Sequence, residues 1–179
     1  MIALIVHGGA WNIPDQFVEA HRLGCARALE TGWNILSAGG SAVDAIEQVI
    51  RSMEDDGTFD AGRGSHLNAN GEVELDASIM DGTTFRCGAV AAVHRIKNPV
   101  SLARKIMDES EHILLVGEGA EQFALENGLQ FCDPHELQSA RELERWNAIR
   151  RSPDFQTKDR KSTRLNSSHI QKSRMPSSA

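Results

Sequence analysis

The sequence predicts a mixed α/β chain of the α+β kind, in which helices pack on a small number of strands. Three observations carry this. Ala45, Ile46, Val49, Ile50 and Met53 form an apolar stripe at helical spacing. Residues 72–79 alternate, with Glu72, Glu74, Asp76 and Ser78 between Val73, Leu75, Ala77 and Ile79, as a strand with one polar face does. Cys87 to Val93 is almost wholly apolar, which suits a strand covered on both faces.

The elements follow in order. Ile2 to His7 is an apolar run ending at Gly8-Gly9, the pattern of a buried strand entering a tight turn. Asp15, after Pro14, can cap a helix whose inner face is Leu23, Ala26, Leu29, Trp33 and Leu36. Gly39-Gly40 stops it. Ser41 caps the next helix, with Asp44 as a weak capping box, and the two helices should pair antiparallel. Gly82-Thr83 suggests a hairpin turn between the two strands. Asn98 and Pro99 open a helix with Leu102, Ala103, Ile106 and Met107 inward. His112 to Val116 reads as a strand. Gly117 to Gly119 leads into a helix with Ala120, Phe123 and Ala124, closed by Asn127-Gly128. Asp133-Pro134-His135-Glu136 is a helix start, and the charged helix behind it runs to about Arg150.

With 179 residues, 40% of them hydrophobic, the chain is long enough for one domain with a true core. A net charge of −6 argues against nucleic acid as the main partner. No apolar run approaches the ~20 residues of a membrane helix, and no basic segment precedes the first apolar run, so no membrane partner and no signal peptide are expected. The cysteines, Cys25, Cys87 and Cys132, show neither metal spacing nor a disulfide framework. A reducing cytoplasm is the simplest location.

The charge is uneven. Residues 159–179 hold five basic residues and one acid, a net of +4 that leaves −10 on residues 1–158. By composition this is a disordered serine-rich tail. A nucleic-acid-binding arm and an idle solvated tail are two readings of it. A third is that the string resembles the translation of a common short-read sequencing adapter, with Ile170 to Lys172 where an index would sit. The expected organisation is therefore a domain over 1–150, the start of a flexible linker over 151–158, and a non-native tail over 159–179.

The stretch from Met53 to Asp81 concentrates candidate chemistry. A helix ends in it, a loop with Gly57, Gly62, Gly64 and Gly71 crosses it, and the alternating strand leaves it. Such a loop is either a long polar connection or the place of a bound ion. A calcium loop of the EF-hand type fails, because counting from Asp56 the sixth position is Ala61 rather than glycine. A hard cation held by backbone carbonyls remains open. Gly117-Glu118-Gly119 is either a tight turn or a phosphate-binding turn, but the full dinucleotide fingerprint would need glycine at Gln122. His7 is either catalytic or simply hydrogen-bonded at a strand end. His66, His94 and His112 make no ligand spacing, and no Gly-x-Ser-x-Gly elbow exists.

Several segments together resemble one family, the plant-type L-asparaginases or isoaspartyl peptidases of the N-terminal-nucleophile (Ntn) hydrolases. They are Val6–Ala10, Ala38–Ala45, Phe59–Ser65, Leu75–Gly82, Gly88–Ala91, Lys97–Ala103 and Val116–Ala120, in family order over residues 1 to about 130. The resemblance implies a four-layer αββα sandwich, of which this chain supplies the N-terminal half. It implies a precursor that cuts itself into α and β chains, a homodimer of αβ units, and hydrolysis of L-asparagine or β-aspartyl dipeptides by a threonine freed at the start of the β chain. It implies no cofactor for catalysis, and a structural sodium ion on the backbone carbonyls of Met53, Glu54, Asp56, Phe59, Ala61 and Arg63. It places His7, Gly8 and Gly9 in a turn near the cleavage site. Asp60 stands near the nucleophile, where the family usually has Asn.

The chain departs from that pattern at the nucleophile. No Gly-Thr-Val/Ile-Gly sequence is present: Gly57-Thr58 and Gly82-Thr83 lie inside the α-chain pattern, and Thr157 and Thr163 follow no glycine. The β-chain half is expected as the missing partner, and the chain by itself is expected to be inactive. The competing readings are a non-catalytic binding protein and, within the superfamily, a glycosylasparaginase or threonine endopeptidase.

Overall fold

The structure is a computed structural model that describes residues 2–152. The chain divides into two compact units, Met1–Glu144 and Arg145–Ala179. Of the second, the described part is the end of one helix, where the Arg150 guanidinium lies 4.7 Å from the Trp146 ring centroid. The expected tail, most of the expected linker, Thr157 and Thr163 lie outside the described residues.

Among the described residues the elements are α1 (Asp15–Ser37), α2 (Ala42–Asp56), β1 (Leu75–Met80), β2 (Cys87–Val93), α3 (Pro99–Glu109), β3 (Leu114–Val116), α4 (Gly117–Glu126), α5 (Pro134–Leu137) and α6 (Ala140–Arg151). The result is a mixed α+β arrangement on one small sheet of order β1-β2-β3, in which β1 and β2 run antiparallel and β2 and β3 parallel. No described helix is long and apolar enough to cross a membrane.

The sheet buries one face. Leu75 and Ile79 of β1, and Val90 and Val93 of β2, pack with Val100, Leu102, Ala103, Ile106 and Met107 of α3 and Ala120 and Ala124 of α4. Gly88 makes the close approach of α3 possible: a Cβ there would lie 2.1 Å from the Ala103 carbonyl oxygen and 2.5 Å from the Met107 nitrogen. The register between β1 and β2 shifts between Leu75 and Ala77. The bulged residue, Ala92, has φ 55°, and its N–H donates 2.9 Å to the Asp76 carboxylate instead of to the ladder.

A second apolar cluster joins α1 to α2 through Ala28, Val49, Met53 and Phe59. The α2 stripe is divided between the clusters, since Val43 and Ile46 pack toward the sheet. Ser41 caps α2 as expected, its hydroxyl accepting from the Asp44 N–H at 3.0 Å.

Several sequence expectations are corrected. The face of α1 marked by Leu23, Leu29 and Trp33 is exposed, while His21, Gly24, Ala28 and Gly32 are buried. Small residues win because α2 comes too close for large ones: a Cβ on Gly32 would lie 2.5 Å from a Val49 methyl. Asp15 does not cap α1 but sits in its first turn after Pro14. Ile2 to His7 joins no ladder among the described residues. It alternates instead, with Leu4 and Val6 against the α1–α2 cluster and Ile5 91% exposed. β2 is not covered on both faces, since Gly88, Val90 and Val93 are buried but Cys87, Ala89 and Ala91 only half-buried. The charged helix after Asp133 is two helices. The capping box forms, but Gln138 turns extended at ψ 120° after Leu137 enters the sheet core.

Candidate functional site

The loop after α2 is built on the helix end. Gly57 ends α2 in the left-handed region at φ 75°, and the last turn holds no basic residue. The final carbonyls of a helix have no intrahelical donors and sit at its negative pole. The chain then folds back on them. The Arg63 N–H donates 2.8 Å to the Glu54 carbonyl, and Gly62 takes φ 53° with room for no more than a hydrogen, since a Cβ would lie 2.7 Å from that oxygen. Phe59 is 3% exposed and anchors the loop to the α1–α2 cluster.

The expected cation ligands Met53, Glu54, Asp56, Phe59, Ala61 and Arg63 are the helix end and this folded-back strand of loop. A hard cation takes oxygen donors, and a helix C-terminus with glycines that clear its carbonyls fits one. No cluster of three or more His, Cys, Asp or Glu side chains that could hold a metal ion occurs among the described residues.

Asp60 borders a cavity of about 360 Å³. The wall around it includes Glu54, His66, Glu74, Asp76 and Ser78, and Pro99 and Val100 from the start of α3. His7, Gly8 and Gly9 do not line this cavity. Gly8 meets the loop at Phe59 instead: a Cβ there would lie 3.0 Å from the Phe59 ring. Gly9 has φ 101°, and its N–H donates 3.3 Å to His7 Nδ1. Trp11, His21 and Phe59 follow one another, the first pair tilted and the second edge-to-face, with ring centroids 5.9 Å and then 5.6 Å apart.

Two carboxylates of α2 set the electrostatics. Glu54 is 2% exposed, and its oxygens accept from the Val100 N–H at 3.1 Å and the Asn98 amide at 3.1 Å. Asn98 therefore does not cap α3 with its own side chain; Glu54 supplies the acceptor from α2. Burial pushes the Glu54 carboxyl up to about 7, against the pull of those two hydrogen bonds. Asp56 feels burial in the same direction, but Thr58 and an ion pair with Arg27 hold it below the ordinary carboxylate value.

His66 shows no ligand spacing in the sequence. The structure gives it a place all the same. Its N–H donates 2.8 Å to Asp60 Oδ1, its Nε2 lies 3.6 Å from Asp60 Oδ2, and its Nδ1 lies 2.8 Å from Glu142 Oε2. Glu142 comes from the start of α6, 76 residues away. The available signal was a histidine inside the glycine loop together with an Arg-Glu pair after a helix break. Gly117 to Gly119 form the first turn of α4, with Gly117 at φ 56°. Its neighbour Glu121 faces back to the sheet and accepts from the His94 and Arg95 N–H groups and the Arg95 guanidinium.

Fold and cavity define an α+β protein whose polar, small-molecule-sized pocket is built on a glycine-rich loop at a helix C-terminus. The chain belongs to the asparaginase family: a family model with the description "Asparaginase" matches residues 1–176. It is 50% identical over 126 residues to the isoaspartyl peptidase/L-asparaginase of Danio rerio, which covers 70% of this chain and 41% of that protein. It is 46% identical over 157 residues to the protein of the same name from Bos taurus, covering 87% and 51%. With the plant-type L-asparaginase of Pyrococcus abyssi the identity is 47% over 135 residues, covering 75% and 44%. The chain spans about half the length of the curated relatives it matches.

Proposed function

We propose that this chain is the N-terminal, α-chain part of an isoaspartyl peptidase/L-asparaginase. Joined to its β half, it hydrolyses β-aspartyl peptides and L-asparagine to aspartate and either a shortened peptide or ammonia. The observation that carries this reading is the Asp60 loop beside the cavity, on a chain 42–51% identical to proteins so named.

In this reading the nucleophile is a threonine freed by self-cleavage after residues 151–158, the start of the linker. A hydroxyl is a poor nucleophile until a base takes its proton, and a freed α-amine, with a reference pKa of about 7.7–8, can be that base. Oxyanion donors and the groups that grip the substrate also come from the β half. The part played by residues 1–150 is to present Asp60 beside the threonine and to hold the His7-Gly8-Gly9 turn near the cleavage site. A sodium ion on the carbonyls of Met53, Glu54, Asp56, Phe59, Ala61 and Arg63 stiffens the loop, and no cofactor takes part in catalysis. Residues 159–179 are non-native.

The four-layer αββα sandwich is part of the same proposal. It is supported by the second face of the sheet, where Met80, Leu114 and Val116 are each at least half exposed and Ala89 and Ala91 are small and half-buried. A second sheet from the β half would cover that face. Two αβ units then pair as a homodimer in the cytoplasm.

The test is expression of the complete reading frame and of residues 1–179 alone. The complete protein should split at a threonine, seen by N-terminal sequencing, and release aspartate from a β-aspartyl dipeptide. The 179-residue chain should release none. An uncleaved, inactive complete protein would overturn the proposal, as would turnover by the short chain.

A further inference from the structure

We infer that Arg141, Glu142 and His66 are positioning residues that hold the Asp60 carboxylate at the cavity wall; the inference rests on the reading of Asp60 as the residue beside the nucleophile. Asp60 is more than half exposed, its side chain at 57%, so its own packing does little to fix it. What fixes it is a polar chain leading inward. Both Asp60 oxygens face His66, one through the backbone N–H at 2.8 Å and the other across 3.6 Å to Nε2. The imidazole is turned by Glu142, whose side chain is 4% exposed. A carboxylate only accepts, so His66 Nδ1 carries the proton in this contact; the tie to Asp60 is then the backbone N–H, and Nε2 attracts Asp60 Oδ2 only when the ring is doubly protonated.

A buried carboxylate is tolerated only when paired. Besides His66, Glu142 is paired with Arg141, whose Nε donates 3.0 Å to Oε1. The rest of the guanidinium reaches the loop backbone, at 3.0 Å to the Thr58 carbonyl and 3.4 Å to the Gly64 carbonyl. Those carbonyls bracket Asp60 in sequence. One planar fork therefore sets both ends of the segment and, through Glu142 and His66, the carboxylate between them. The neighbouring chain adds two stitches: Gly64 N–H to the Leu137 carbonyl at 3.2 Å, and the Gln138 amide to the Gly71 carbonyl at 3.0 Å. The segment leading into α6 thus holds the loop that borders the cavity.

The experiment uses the complete protein. Glu142→Gln keeps the shape and removes the charge that orients His66. It should lower kcat for a β-aspartyl dipeptide about tenfold or more, with KM within about twofold, because misplacing a group near the chemistry acts on the rate. Arg141→Met should do the same, and Arg141→Lys should recover only part, since one ammonium cannot span three acceptors. In an Asp60→Ala background, adding Glu142→Gln should change kcat by less than about twofold. An equal loss in both backgrounds would make the chain a general structural support and overturn the inference, as would an unchanged kcat.

Nitrogen NMR supplies the readout that does not need activity. The His66 Nδ1–H signal and the shifted His66 backbone amide should be present in the parent protein. Glu142→Gln should move both, the amide toward its position in Asp60→Ala. An unmoved amide would overturn the inference even if the parent protein hydrolyses nothing, whereas an inactive parent with a moved amide would overturn only the functional reading.

Discussion

The sheet core and the glycine loop are held by opposite means. Between β1–β3 and α3, contact is apolar, and Gly88 is chosen for having no side chain at all. Around the loop, apart from the Phe59 anchor, the contacts are polar, and they run from side chains to backbone: Arg141 to the Thr58 and Gly64 carbonyls, Glu54 to the Val100 N–H, Gln138 to the Gly71 carbonyl. Among the described residues no buried side-chain nitrogen or oxygen lacks a partner. In the first region volume decides what is tolerated. In the second it is the number of donors and acceptors, so that isosteres are tolerated where truncations are not.

Gly88→Val is the largest break available. Overpacking usually costs about 1–3 kcal/mol, and here the atoms struck are the backbone of α3, which cannot rotate away. A loss above about 3 kcal/mol in urea unfolding of the complete protein, or failure to fold, is expected. A variant within about 1 kcal/mol of the parent would mean that α3 does not lie on β2 this closely.

Glu54 tests the other region. Glu54→Ala leaves the Val100 N–H without an acceptor and the Asn98 amide with Asp55 in place of two carboxylates, and should cost about 2–3 kcal/mol. Glu54→Gln keeps an acceptor and should cost less than half of that. If the two variants are equally damaging, the charge rather than the acceptor count is what matters there.

Glu121 carries the same logic into pH. Burial pushes its carboxyl up, but the His94 and Arg95 N–H groups and the Arg95 guanidinium together hold it below the ordinary 4.5. A carboxylate with a depressed folded pKa adds stability that is complete above its unfolded pKa and is lost as pH falls through the folded one. Glu121→Gln should therefore lower stability by about 1–2 kcal/mol at neutral pH. The gap to the parent should narrow below pH 4.5. A gap that widens on acidification would reverse the sign.

The difference between the two regions also explains what could be read from the sequence. α2, α3 and the β1–β2 hairpin were legible because Val49, Ile106 and Ile79 are large and periodic. The buried face of α1 was not, because Gly24, Ala28 and Gly32 carry almost no hydrophobic signal and act by letting α2 approach. The segment Ile2–His7 has the composition of a strand but no partner among the described residues to pair with. The break at Gln138 was hidden in a run of good helix formers. At the candidate site, the glycines pointed to the loop and the family resemblance to Asp60. The His66–Glu142 contact joins two short polar motifs 76 residues apart, and neither motif has a spacing that announces the other.

Trp33→Ser should cost least of these variants. Hydrophobic periodicity made Trp33 a core residue, yet it is 47% exposed on the outer side of α1, opposite the glycines that meet α2. Surface substitutions away from caps and networks usually stay within about 0.5 kcal/mol. The variant should therefore unfold with the parent, and Gly32→Ala, a far smaller change in side chain, should be the more damaging of the two, because its Cβ would meet Val49 at 2.5 Å and Leu4 at 2.7 Å. A loss of more than about 2 kcal/mol for Trp33→Ser would mean that another surface covers this face in the complete protein, since burying such a side chain is worth that much.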